Sequence, residues 1–133
     1  MAVELTVRDG ELAVVRLAAG SPAPAWARPG AGGVVATVAT ADETSVVCDA
    51  AAVPADATAS TGWAALVVAG PLEHSLTGIL ASLAGPLADA GIPIFAISTY
   101  DTDYVLVPAA RLAEAVAALR GAGHAIADGA GEG

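Results

Sequence analysis

Glu73, His74 and Ser75 are the one place in the chain where a carboxylate, an imidazole and a hydroxyl follow one another. They have the types of an acid, a base and a nucleophile. Neighbours on one turn do not reach the geometry those roles need, so no catalytic site and no enzyme is read from them. His74 is read as an exposed turn residue or a pH-sensitive contact beside a pocket. His74 and His124 lie fifty residues apart and Cys48 is single, so no metal ligand set has recognisable spacing. Cys48 has no partner for an intramolecular disulfide and reads as a small buried residue on a strand. What the residue types do offer is recognition of a molecule with charges of both signs. Ser75, Leu76, Thr77, Gly78 and Ile79 open a helical pattern, and the amides free in a first helical turn, Leu76 through Ile79, can donate to a carboxylate. Gly78 has no side chain to block that approach. Thr99, Tyr100, Asp101 and Asp103 form an acidic turn, and the two carboxylates can accept an ammonium or a cationic side chain. Each residue also has a plainer role, Ser75 or Thr77 as the helix cap and the aspartates as turn formers.

The elements that must position these groups follow from periodicity. Glu4–Val7 and Glu11–Ala18 are β-rich runs around Arg8-Asp9-Gly10, expected to pair as a hairpin. Residues 19–33 carry Pro22, Pro24, Pro29 and four glycines, which forbid a long helix, and Trp26 is expected to anchor this loop. Val34–Thr40 and Thr44–Asp49 are two further strands, and Pro54–Gly62 has the composition of a linker. Trp63–Gly70 is a buried-type strand. Leu76, Ile79, Leu80, Leu83 and Leu87 then recur at helical spacing, with Pro86 expected to kink the helix or split off its last turn and Gly91 to end it. Ile92–Thr99 and Asp103–Val107 are strands, Pro108 is expected at the first position of a last helix, His124–Ala127 is an edge strand and residues 128–133 a disordered tail.

Composition narrows the function classes. The chain has no lysine, five arginines and fourteen carboxylates, a net charge of −9. Such a surface repels phosphate backbones, so nucleic acid is excluded as a partner. The charged N-terminus does not fit a signal peptide, and no uncharged apolar stretch reaches the roughly 18 residues that span a bilayer; the expectation is a soluble cytoplasmic protein without a membrane partner. Hydrophobic residues make up 56% but aromatics only 4%, so the core is built of small aliphatic side chains and is expected to gain from a partner chain.

Thr40–Cys48 superposes on Thr99–Val107 at an offset of 59, and Leu12–Ala18 on Ala64–Gly70 at an offset of 52. The seven-residue difference between 59 and 52, about two helical turns, falls where the first half has its proline-rich loop and the second its helix. The second half therefore reads as strand, helix, strand, strand, helix, strand, the ferredoxin-like arrangement.

Ser75–Thr99, SLTGILASLAGPLADAGIPIFAIST, resembles the ACT-domain signature, with Gly-Ile-Leu opening the first helix and Ala-Gly-Ile leading to the next strand. With FAISTYDTDYVLV it is similar to small bacterial proteins with paired ACT domains, related in turn to CASTOR-type arginine sensors. The resemblance implies an α+β fold of two tandem βαββαβ units, antiparallel sheets with helices on one face. The first unit, residues 1–60, has a degenerate first helix; the second, 61–133, is complete. It further implies a non-catalytic regulatory protein, a homo-oligomer without a cofactor, that binds an amino acid at an ACT–ACT contact. The acidic balance and the CASTOR-type likeness lean toward arginine or another cationic amino acid. Whether the Thr99–Asp103 turn meets the helix start within one unit or across an interface is open from the sequence. The alternative is an oligomerisation or partner-binding module without a small ligand, pairing through an edge strand such as Ala64–Ala69.

Overall fold

A computed structural model of the chain describes residues 2–73 and 77–127. It divides into two compact units, one of Asp9–Trp63 and one in which the first eight residues join the chain from Ala64 onward.

The first of these carries strands β2 (Leu12–Ala18), β3 (Ala36–Ala39), β4 (Glu43–Asp49) and the beginning of β5 (Thr58–Val68). They run in the order β3, β4, β2, β5, all antiparallel. Ala13, Val15, Val46 and Cys48 form its small core, and Trp26 packs against it from the proline-rich loop. No helix joins β2 to β3. Thr58–Gly62 belongs to strand β5 and pairs with β2, where the composition suggested linker. Its residues up to Thr61 are exposed, so no apolar alternation betrays it; backbone pairing alone makes it a strand.

The other unit adds β1 (Glu4–Val7), α1 (Ile79–Asp89), β6 (Phe95–Ser98), β7 (Asp103–Pro108), α2 (Leu112–Gly121) and β8 (Ala125–Ala127). The sheet order is β8, β1, β5, β7, β6. The expected β1–β2 hairpin does not form, because β5 and β8 occupy both edges of β1: antiparallel at Leu5↔Val68 and parallel at Leu5↔Ile126. That parallel pair also breaks the expected all-antiparallel sheet. The expected edge strand Ala64–Ala69 is internal, since β5 pairs with β1 and with β7. Leu5, Ala64, Leu66, Val68, Val105, Val107 and Ile126 alternate along the strands and meet Ile79, Leu83 and Leu87 of α1 and Ala115 and Leu119 of α2 in one core. Both helices thus lie on one face of the sheet.

Helix α1 runs unbroken through Pro86. It ends in a Schellman turn: Gly91 takes φ +72°, its N–H donates to the Ala88 carbonyl at 2.9 Å, and the Ile92 N–H donates to the Leu87 carbonyl at 2.9 Å. Arg111 reinforces that end by donating to the Ala90 and Gly91 carbonyls at 3.2 and 2.7 Å while pairing with Glu114 at 3.0 Å. Pro108 closes β7 and a 3₁₀ turn, Ala109–Arg111, precedes α2, so Pro108 is not the first residue of that helix as expected. Among the described residues no helix is long and apolar enough to cross a membrane.

Candidate functional site

The start of α1 differs from the sequence expectation in a way that moves the free amides. Gly78 is the N-cap, at φ +81° and ψ 0°, and no described side chain caps the helix. A left-handed conformation that only glycine adopts without cost turns the chain into the helix, so the cap is Gly78 and not Thr77. The first intrahelical bond runs from the Ser82 N–H to the Gly78 carbonyl at 2.9 Å. The amides of Ile79, Leu80 and Ala81 precede it and have no intrahelical acceptor. Of the run expected to offer free amides, Leu76 through Ile79, Ile79 is among these three. Ser75, Leu76 and His74 lie outside the described residues.

The β6–β7 turn is built around one hydroxyl. Thr99 Oγ1 accepts the N–H groups of Asp101 and Thr102 at 3.2 and 3.1 Å and donates to the Thr102 carbonyl at 3.2 Å, while the Thr99 N–H donates to that carbonyl at 2.8 Å. The β3–β4 turn repeats the pattern at offset 59: Thr40 Oγ1 accepts from Asp42 and Glu43 at 3.1 Å each, and the Thr40 N–H donates to the Glu43 carbonyl at 2.9 Å. Two bonds tie the β6–β7 tip to the segment that leaves β5. The Leu72 N–H donates to the Asp101 carbonyl at 2.7 Å, and the Thr102 hydroxyl donates to the Val68 carbonyl. Gly70 lies under this contact, where a Cβ would come within 2.9 Å of the Asp101 carbonyl oxygen.

These ties bring the tip and the helix start together within one unit, around an open hollow of about 280 Å³. Of the residues expected from sequence, Gly78, Ile79, Thr99, Tyr100, Asp101 and Asp103 line it. Thr77 is exposed and does not. Leu72, Glu73, Leu80 and Thr102 also line it and were not foreseen. Leu80 was counted on the inner face of the helix, yet it is 38% exposed at the rim. For Thr102 a signal did exist, the fourth position of the repeated turn. Asp103 Oδ1 accepts the Ser98 hydroxyl at 2.6 Å, whereas the Asp101 carboxylate makes no hydrogen bond among the described residues. Glu73, Asp101 and Asp103 are the charged groups of the described lining, and all are acidic. One wall therefore offers helix amides at the positive end of a dipole and the other offers carboxylates, a pairing suited to a small zwitterion. Tyr100, 81% exposed, stands at the mouth.

Burial, and then the neighbouring charge of Asp49, pushes the Cys48 thiol above its ordinary value, which disfavours the thiolate. Among the described residues no group of three His, Cys, Asp or Glu is placed to hold a metal.

Residues 58–121 match the ACT domain. The crystal structure of protein Atu0741 from Agobacterium tumefaciens is 35% identical over 96% of this chain and 93% of that one, with a TM-score of 0.88. VC0802 from Vibrio cholerae, titled a protein of unknown function and possible transport protein, is 20% identical over 91% and 90%, with a TM-score of 0.72. The ligand-free regulatory subunit of aspartate kinase from Thermus thermophilus shares the fold at 12% identity over 87% and 94%, with a TM-score of 0.58. Among curated proteins nothing matches.

Proposed function

We propose a function on the premise that this chain belongs to one family with the Agobacterium protein and carries an ACT domain over residues 58–121: it is a non-catalytic regulatory protein that binds an amino acid. The observation that carries the reading is one hollow lined both by Gly78, Ile79 and Leu80 at the start of α1 and by Asp101 and Asp103 of the β6–β7 turn. The ligand carboxylate sits at the start of α1 and its ammonium or cationic side chain at Asp101 and Asp103. With three acidic groups against one helix terminus, a cationic amino acid such as arginine fits better than a neutral one. The hollow is open and Tyr100 is exposed at its mouth, so a second ACT surface closes it in a homo-oligomer, and closure is the signal that binding sends.

Thermal-shift measurements with each of the twenty amino acids at millimolar concentration test this. A ligand present at a hundred times its dissociation constant stabilises by about 2.7 kcal/mol, well within reach of the method. Arginine or lysine is expected to raise Tm most, and Asp101→Asn to remove that preference. A protein unmoved by all twenty overturns the reading.

A second reading rests on a different observation. Among the described residues strand β6 pairs with β7 alone, and Phe95 on it is 40% exposed, an edge suited to adding a strand from a partner. In this reading the chain is an oligomerisation module without a ligand, and a clean monomer by light scattering at micromolar concentration contradicts it.

A further inference from the structure

Pro86 has no N–H, so the carbonyl of Ser82, four residues earlier in α1, loses the partner it would have in an uninterrupted helix. The structure fills that position from another element. His124 Nε2 lies 2.8 Å from the Ser82 carbonyl oxygen. On the other side of the ring, the Val3 N–H donates to Nδ1 at 3.1 Å. A ring nitrogen that accepts carries no proton, so the ring is neutral, with its hydrogen on Nε2 directed at Ser82. The backbone delivers the ring there. Gly123 and His124 end α2 in a Schellman turn, with the His124 N–H donating to the Leu119 carbonyl at 3.1 Å, and the next amide, Ala125, donates to the Val3 carbonyl at 3.0 Å. His124 is 4% exposed.

The charged groups on the elements around the ring are Glu4 on β1, Asp89 on α1, and Glu114 and Arg120 on α2 with Arg111 before it; β8 carries none. Arg111 and Glu114 engage each other, and Arg120 donates to the Ile126 carbonyl at 2.7 Å. Among the described residues no charged side chain bonds to the ring, so the Val3 amide and the Ser82 carbonyl set its state.

We propose that His124 is a proton-released strap: the neutral ring ties the Val3 amide, just before β1, to the middle of α1 through the carbonyl that Pro86 leaves open, and protonation breaks the tie at Val3. A proton added at Nδ1 turns the acceptor into a donor that faces the Val3 N–H. That bond must break, while the Nε2–H bond to Ser82 is kept. Acidification therefore frees the Val3 amide while the pairing of β1 with β5 and β8 and the bond to α1 persist. The inference does not depend on any ligand in the hollow.

Nitrogen-15 NMR of the imidazole in the intact chain at pH 7.5 is expected to show a neutral ring with its hydrogen on Nε2; a ring protonated on Nδ1 overturns the proposal. Hydrogen exchange then follows the Val3 amide from pH 8 to pH 5, corrected for intrinsic rates. Its protection is expected to fall at least tenfold more than that of Ile92, which bonds to Leu87 away from the ring, and His124→Gln, which cannot titrate, is expected to abolish the difference. Equal losses at Val3 and Ile92 in the natural chain overturn the proposal without recourse to any variant. Pro86→Ala supplies an N–H for Ser82, so His124→Gln is expected to lower Tm less in that background. The same loss in both backgrounds also counts as refutation.

Discussion

Gly70→Ala tests the contact that assembles the candidate site. The added methyl would lie 2.9 Å from the Asp101 carbonyl oxygen and 3.3 Å from Thr102 Cβ. The nearer atom is backbone, and it already accepts the Leu72 N–H at 2.7 Å, so no side chain can rotate out of the way. Overpacking of this kind costs about 1–3 kcal/mol. Displacing the tip far enough to lose the Leu72 bond adds about 1 kcal/mol, and the smaller entropy of the unfolded alanine chain returns about 0.4–1 kcal/mol. The net expectation is a loss of about 1–3.6 kcal/mol, read as a lower urea midpoint at unchanged slope. Gly121→Ala is the control. It lies in α2 with open space around its Cβ, and the same exchange there is expected to stabilise by about 0.5–1 kcal/mol. Gly70→Ala should also weaken any amino-acid thermal shift, because the hairpin tip forms a wall of the hollow. A Gly70→Ala protein as stable as the natural chain, with Gly121→Ala behaving as stated, would refute the reasoning that the tip is clamped against that backbone.

Leu83 is fully buried between α1 and the sheet, and Leu83→Ala is expected to cost about 2–5 kcal/mol in a core with few aromatics to collapse into the gap; calorimetry reads it directly. Thr40→Val and Thr99→Val remove the same hydroxyl from two turns with the same bonds, so their costs, about 1 kcal/mol each, are expected to agree, and a large inequality by urea unfolding would show that only one turn is under load. Arg111, first by its hydrogen bond and then by its charge, holds the Glu114 carboxyl below its ordinary value of 4.5. The contribution is therefore present above that value and lost as pH falls through the lower folded-state value. Glu114→Gln is expected to flatten the acid limb of unfolding at low salt, and an unchanged limb in the variant contradicts the coupling.

Much of this protein is legible from residue order because its signals are local. The α1 core positions Ile79, Leu83 and Leu87, the stop at Gly91, the pinned Trp26 and the repeated threonine turns all follow from spacing or from a side chain bonding its own neighbourhood. Six of the expected site residues line the hollow for the same reason, since a helix start and a hairpin tip are both local motifs. What the sequence did not carry are choices made by distant backbone. Thr58–Gly62 becomes strand because β2 lies beside it, Glu4–Val7 enters between β5 and β8 rather than folding onto β2, and Leu80 turns to the rim because the helix begins at a left-handed Gly78. Nor does spacing say that the Leu72 amide and the Asp101 carbonyl meet, 29 residues apart. Local chemistry therefore determined which groups this chain can present, and tertiary hydrogen bonding decided which of them share one hollow, because a backbone donor or acceptor has no residue type by which its partner can be read.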